Sequence, residues 1–582
     1  MTSAGFLTEF PPVSTHEWEE VICKDLKGAD YARKLIWETG EGFAAKPYYR
    51  SDDTLELEHV NSEPGAFPYI RGTRTAAGWK IREEVFANDL EKANRAALSA
   101  VTSGADEIAF CGVRIENESD LGLLLGNLET VPLHFENVDE SMIRLLGKHL
   151  TRRRRGAPTS TGRDPLSNPD FAEEIVTSSP AGLLPFTIHG DAFEESGANA
   201  TEEIGFTLAA AIDFMAEMQR RGVAINRAAN SITFSFAIGS NLFIQIAKFR
   251  AFRMLWAQVV ESFGGDRDDA KAHIHARTSR WNKTIYDPHV NVLRATCEAI
   301  AAVIGGADSI TVAPFDACYK APNPASLQLA RNTQLILKHE AQLARVVDPG
   351  GGSYFLEVMT DSIARISWER MQEVESAGSY RKAIELGTIA RRLEASRAAK
   401  EAAVTSRRCI LTGTNRYANA EEAALSRIDK PRVDPTRRGA QPYEELRLRS
   451  ELHARQTGKT PRILLAEIGD LKMRTARSLF TGDVFACAGL ATVKQQFSDA
   501  TQIALCEADL VVLCSSDGEY LKHTTDLLAD LKKMNRQTPV IIAGNPDSAD
   551  ELRNIGIADF VHLRSNPIEF LSRWQRELGI ED

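Results

Sequence analysis

His273 and His275 alternate along a β-type run, so they would share one face of a strand, a spacing that could present two metal ligands. No neighbouring cysteine or carboxylate completes a ligand set, and a metal site is not expected. The eight cysteines, at 23, 111, 297, 318, 409, 487, 506 and 514, form no Cys-x-x-Cys pair. Cys111, Cys297, Cys487, Cys506 and Cys514 fall in apolar patterns and read as core residues. His189 ends a β-type run and reads as a structural hydrogen-bonder. The run Arg152-Arg153-Arg154-Arg155 reads as a solvated helix end, with phosphate binding as the alternative. Gly469-Asp470, Ser515-Ser516 and Gly544-Asn545 each follow an apolar run, the position at which doubly wound sheets hold ligands.

The elements that must position these residues fall into two blocks. From about 65 to 380, β-type runs alternate with helical patterns: Trp79–Val85, Glu107–Gly112, Val131–Phe135, Leu184–His189, Ile232–Phe236, His273–Thr278 and Ser309–Ala313. Asn199 with Glu202 predicts a helix start, and Ile204, Leu208, Ile212 and Met215 follow on one face. A second helix runs from Asn241 with Leu242, Ile246, Phe249, Trp256, Val260 and Phe263 as its stripe. Alternation of this length predicts a parallel sheet, and a (β/α)8 barrel is favoured over an open one. A long helical stretch is expected over 360–403, then a linker over 426–460 with Pro431, Pro435 and Pro442. In the last 120 residues five strands are expected, Ile463–Ile468, Val484–Ala488, Asp509–Ser515, Pro539–Ala543 and Asp559–Leu563, in a flavodoxin-like doubly wound domain. The expected organisation is an arm over 1–50, a barrel over 51–383, a connection over 384–460 and the flavodoxin-like domain over 461–582. The arm, with Trp18, Leu26, Trp37, Tyr48 and Tyr49, is too apolar for a loose tail and should lie on its own barrel or on a partner chain.

Composition sets the outer bounds. With 582 residues, 43% hydrophobic and 26% charged, the chain is globular rather than disordered or fibrous. A net charge of −11 disfavours nucleic acid as the main partner. The first ten residues carry no secretory signal pattern, and the longest apolar run, Ala299 to Ala307, is far short of the roughly 20 residues of a membrane helix. A cytoplasmic location and no membrane partner are expected.

Ordered blocks of residues then carry a resemblance. Trp18 with Lys24-Asp25-Leu26-Lys27-Gly28, Leu35-Ile36-Trp37-Glu38-Thr39, Thr73-Arg74-Thr75 with Gly78-Trp79, and the helix Ile246 to Ala257 are four of them. Ala330-Arg331-Asn332-Thr333-Gln334, Asp348-Pro349-Gly350-Gly351-Gly352-Ser353-Tyr354 and Gly413-Thr414-Asn415-Arg416-Tyr417 continue the series. In this order and over nearly the whole chain, they resemble the methylmalonyl-CoA mutase family. The resemblance implies an adenosylcobalamin-dependent isomerase of methylmalonyl-CoA and succinyl-CoA, with substrate threading the barrel and cobalamin between the two domains.

The same resemblance shows where this chain departs. The family's Asp-x-His-x-x-Gly cobalt-binding loop corresponds to Asp470-Leu471-Lys472, which puts a lysine at the histidine. Its Ser-x-Leu becomes Ser515-Ser516-Asp517 and its Gly-Gly survives only as Gly544-Asn545. The catalytic Tyr-His pair of the barrel falls on Asp191 and Ala192. The substrate-lining strand end reads His275-Ala276-Arg277-Thr278-Ser279-Arg280, where two guanidiniums replace an amide and a glycine; they should block the channel, or else grip CoA phosphate. No tyrosine lies in Thr73 to Ala77 to wedge near the corrin. The expectation is therefore a non-catalytic small subunit that binds no cofactor itself, with the large subunit holding adenosylcobalamin. The alternatives are an active cobalamin-dependent acyl-CoA mutase with a divergent site, and a stand-alone scaffold or regulatory protein.

Overall fold

The computed structural model describes residues 13–152, 157–429 and 437–581; Arg153 to Arg155, Pro431 and Pro435 lie outside them. The arm opens with helix α1, Thr15–Asp25, whose N-cap Ser14 and Glu17 form a reciprocal capping box. Trp18 stacks on Tyr48 with ring centroids 5.5 Å apart, so the arm folds back on itself. A small hairpin pairs Trp37–Glu38 with Ala44–Ala45, and its turn lies on the barrel. There the Gly40 carbonyl accepts from Asn199 and the Glu41 carboxylate accepts from the Thr201 amide. The hairpin turn of the arm thus lies on its own barrel, while Trp18, Val21 and Trp37 remain 41–59% exposed.

The barrel strands are β1 Lys80–Phe86, β2 Glu107–Cys111, β3 Leu133–Phe135, β4 Thr159–Thr161, β5 Leu183–His189, β6 Ile232–Ile238, β7 Ile274–Thr278 and β8 Ser309–Thr311, all parallel. β5 is interrupted at Pro185, which has no amide to give the ladder; its first half pairs with β4 and its second with β6. Pairing of β8 with β1 closes the sheet. β4, Thr-Ser-Thr, is the strand that hydrophobic patterning misses: it is fully buried yet wholly polar.

The reason is where the core lies. Phe110, Phe135, Phe186, Phe234 and Phe236 point outward into an apolar layer beneath the helices. Two long helices cover it, α2 Ala200–Arg220, capped by Asn199 and Glu202, and α3 Leu242–Ser262. α3 also buries three cations. Lys248 pairs with Glu203 at 2.8 Å, Arg250 takes Glu357 and Asp348, and Arg253 donates to the carbonyls of Tyr69, Ile70 and Gly305. These contacts explain two of the sequence blocks, the 246–257 helix and the Asp348 loop, as a structural clamp. Helix α4, Val290–Gly305, takes in most of the longest apolar run and ends on a left-handed Gly306.

The expected long helix is three helices: α5 Tyr354–Glu375, a short turn of helix at Tyr380–Glu385, and α6 Thr388–Thr405, with positive-φ glycines 378 and 387 at the breaks. The connection beyond it is packed. Its helix α7, Gln441–Thr457, buries Tyr443, Leu446 and Arg447, and Arg438 bridges Glu444 and the Lys283 carbonyl above the barrel.

The C-terminal sheet has strands β9 Ile463–Glu467, β10 Thr492–Gln496, β11 Leu510–Cys514, β12 Val540–Ala543 and β13 Asp559–Val561, ordered β10-β9-β11-β12-β13 and all parallel. This is the flavodoxin-like order. Val484–Ala488, expected as a strand, is instead the end of helix α8, Leu471–Ala486, with Val484 and Phe485 buried on its sheet-facing side. The true second strand, Thr-Val-Lys-Gln-Gln, is a largely exposed edge with no apolar alternation to betray it. Helix α9, Tyr520–Lys533, follows β11. Among the described residues no helix is long and apolar enough to cross a membrane.

Candidate functional site: two filled strand-end crevices

Barrel enzymes work at the C-terminal ends of their strands, so the site begins with what the inward side chains do there. Most of this lumen is polar and charged rather than Val/Ile/Leu. Near the N-terminal end, Arg82 donates twice to Glu107. His134 meets Ser160, and His275 meets Ser309, each through Nδ1 at 2.8 Å. Burial pushes both imidazoles below their ordinary pKa, so they sit neutral. A cavity of about 60 Å³ remains at this end, lined by Arg82, Glu107, Ser160, His275 and Ser309, room for a water or two.

At the C-terminal end the lumen is closed by an ion cluster centred on Arg277. Its guanidinium meets Glu84, two strands along on β1, and lies 3.6 Å from Asp191. Asp191 accepts from Ser235 at 2.9 Å and faces His189 Nδ1 at 3.3 Å, while His189 Nε2 faces the Gly162 carbonyl at 3.0 Å. Both nitrogens of His189 therefore point at acceptors. Burial opposes its charge, but the Asp191 carboxylate and the Gly162 carbonyl outweigh burial and raise its pKa from 6.5 to about 9. Burial likewise disfavours the Asp191 anion, yet His189 and Arg277 hold its carboxyl far below the usual range. Glu136 is held near 2 in the same way, against burial, by His134 and then Arg277. Each charge is answered by another side chain.

The remaining residues expected at this site are dispersed. Ala192 is exposed on the short helix Gly190–Glu195. Thr278 accepts from the Ala313 amide, and Ser279 donates to buried Glu194. Arg280 lies at the rim, 46% exposed and 3.6 Å from Glu195. His273 is exposed while His275 is buried, and among the described residues no group of His, Cys, Asp or Glu is placed to hold a metal. Cys487 and Cys514 are buried as expected, whereas Cys297 is exposed and Cys111 and Cys506 are intermediate: the apolar pattern around Cys297 belongs to α4, and this residue is on its outer side. Arg152 ends a helix and pairs with Glu118.

The second crevice lies over the strand ends of the C-terminal sheet, where Asp470, Ser515 and Gly544 are brought together. Asp470 caps α8 by accepting from the Met473 amide at 2.8 Å, and Lys472 is exposed on the first turn. A protonated amine has no lone pair for a metal. Two residues the sequence reading passed over dominate. Glu519 places one carboxylate oxygen where Ser516 at 2.6 Å, the Asp470 amide at 3.0 Å and Ser515 at 3.1 Å all donate to it. The Ser516 hydroxyl first, then the Asp470 amide, hold its pKa near 2. Arg477 reaches from α8 to the Ala543 carbonyl and pairs with Asp517 at 2.7 Å. A Cβ at Gly544 would overlap that guanidinium, and one at Gly469 (φ +79°) would strike Glu519. Beyond Arg477 a cavity of about 520 Å³ continues between Phe480, Val561 and Leu563.

Fold and site together define a closed parallel α/β barrel followed by a flavodoxin-like domain, with side chains filling the strand-end crevice of each. The family model described as methylmalonyl-CoA mutase matches residues 175–498. The chain belongs to the methylmalonyl-CoA mutase family. It is 35% identical to the methylmalonyl-CoA mutase small subunit of Porphyromonas gingivalis over 98% of both chains. A probable methylmalonyl-CoA mutase small subunit of Mycobacterium tuberculosis is 32% identical, over 94% of this chain and 93% of that one. The methylmalonyl-CoA mutase of Escherichia coli is 29% identical over 72% of this chain and 66% of its own.

Proposed function

We propose that this chain is the non-catalytic small subunit of a heterodimeric, adenosylcobalamin-dependent methylmalonyl-CoA mutase, stabilising a large subunit that holds both cofactor and substrate. The observation that carries the reading is Arg277. Its guanidinium and the carboxylates around it lie in the lumen through which a substrate would have to thread, and a part-buried cluster of ion pairs is costly to open. No imidazole stands at Ala192 to donate to a thioester, an assistance of about 10²–10⁴-fold in such chemistry. The residues over the C-terminal sheet do not fit a cobalamin either: the ammonium of Lys472 is no ligand, and Glu519 and Arg477 take up the crevice. Full-length similarity to proteins named small subunits supports the partner. Eight free cysteines support a reducing, cytoplasmic setting.

Co-expression with a large subunit that carries intact cobalamin and substrate motifs tests this. A 1:1 complex, with all cobalamin on the large chain, is the expected result. Stoichiometric cobalamin on the isolated chain, or mutase turnover by it alone, would refute the assignment.

A further inference from the structure

The C-terminal crevice is occupied as well as short of a metal ligand. Glu519 and Tyr520 are consecutive, and between them they close three strand ends. The Glu519 carboxylate lies against Gly469 at the end of β9 and Ser515 at the end of β11. The Tyr520 hydroxyl accepts from the Ser515 amide at 3.1 Å and donates to the Ala543 carbonyl at the end of β12. Arg477 covers the Tyr520 ring, 5.4 Å from its centroid, and presses on Gly544. This crevice, between β9 and β11, is where the strand order reverses and where doubly wound sheets admit ligands. On the other side of Arg477, over the ends of β12 and β13, lies a cavity of about 520 Å³, so Arg477 stands between the crevice and open space.

We infer that Glu519 and Arg477 form a built-in plug, so that this domain excludes a corrinoid by occupancy and a histidine at position 472 would not by itself create a cobalamin site. The inference rests on the reading above, that the chain holds no cofactor of its own. Three donors converge on one Glu519 oxygen, so an incoming ring must displace a carboxylate that these contacts hold in place. Arg477 must then give up both the Ala543 carbonyl and Asp517.

Equilibrium dialysis of the full-length chain against hydroxocobalamin, read by visible absorbance, separates the possibilities. The series is wild type, Lys472→His, Lys472→His/Glu519→Ala and Lys472→His/Glu519→Ala/Arg477→Ala, each checked for folding by thermal melting. Lys472→His should bind no better than wild type. The triple variant should bind more tightly by roughly ten-fold or more, since displacing a charge-assisted contact costs at least that factor. If the triple variant does not fold, Lys472→His/Glu519→Ala and Lys472→His/Arg477→Ala carry the same comparison. Binding by Lys472→His equal to that of the cleared variants would overturn the plug, as would no gain in a folded cleared variant. Tight binding by wild type would instead strike down the reading on which the inference rests.

Discussion

His189 and Arg277 carry the residue-scale argument, because each is a charge held inside a barrel by named counter-charges. His189 is protonated more readily in the folded chain than in the unfolded one, about 9 against 6.5. Its contribution is therefore complete below pH 6.5 and drains away as pH rises through 9. The melting temperature of wild type should fall between pH 7 and 9.5, and His189→Gln, which cannot be charged, should flatten that window. A wild-type profile matching that of the variant would remove the charge from the account. For Arg277→Met the expectation is a loss of about 1–3 kcal/mol by denaturant unfolding, the cost of taking its cation from Glu84 while Asp191 keeps His189 and Ser235. The same variant should gain no mutase activity, because the position of Ala192 still carries no imidazole. These residues also show what the sequence disclosed. The absent histidines and the bulky Arg277 could be read once the chain was set against the motifs of the family it resembles. Glu519 and Arg477 could not, since a charge on a helix reads as solvated until the fold brings a serine loop and a bare glycine against it.

At the scale of elements, a capped helix was legible and a polar strand was not. Asn199 and Glu202 announced α2, and the structure adds that Asn199 also donates to Gly40 in the arm. Asn199→Ala should cost about 1 kcal/mol or a little more, and hydrogen exchange in residues 37–45 should rise with it. β4 and β10 were missed for opposite reasons: β4 is buried but built of hydroxyls, Ser160 on His134 in the lumen and Thr161 on the Pro185 carbonyl, and β10 is a solvated edge. The connection over 426–460 looked like a spacer because its apolar residues are few, but it is held by buried charge. Arg438→Ala should leave Glu444 with the Ile285 amide but no counter-charge, cost about 3 kcal/mol or more, and open the connection to trypsin without unfolding the barrel.

For the whole molecule, the exposed apolar side chains of the arm mark where further burial is available. Trp18 and Trp37 are 49% and 41% exposed. On the proposed function, adding large subunit should blue-shift their emission, and the variant Trp18→Ala should lose part of that signal. Stability should also climb with partner concentration, by about 2.7 kcal/mol at one hundred times Kd. A melting temperature insensitive to the partner would argue for a stand-alone protein. The architecture itself was largely legible, since alternating elements and a second apolar block define the two folded units. The contents of the two crevices were not, because composition does not register where a charge points.

Glu519 has one more consequence, for supply. A crevice that binds a small molecule ties the amount of folded domain to the concentration of that molecule, since whatever binds only the native state stabilises it. Here the carboxylate that fills the crevice is synthesised with the chain, in fixed ratio and without an uptake route. On the proposed function, the yield of folded domain should therefore be the same from cells grown with and without cobalamin, and a yield that rises with cobalamin would count against it.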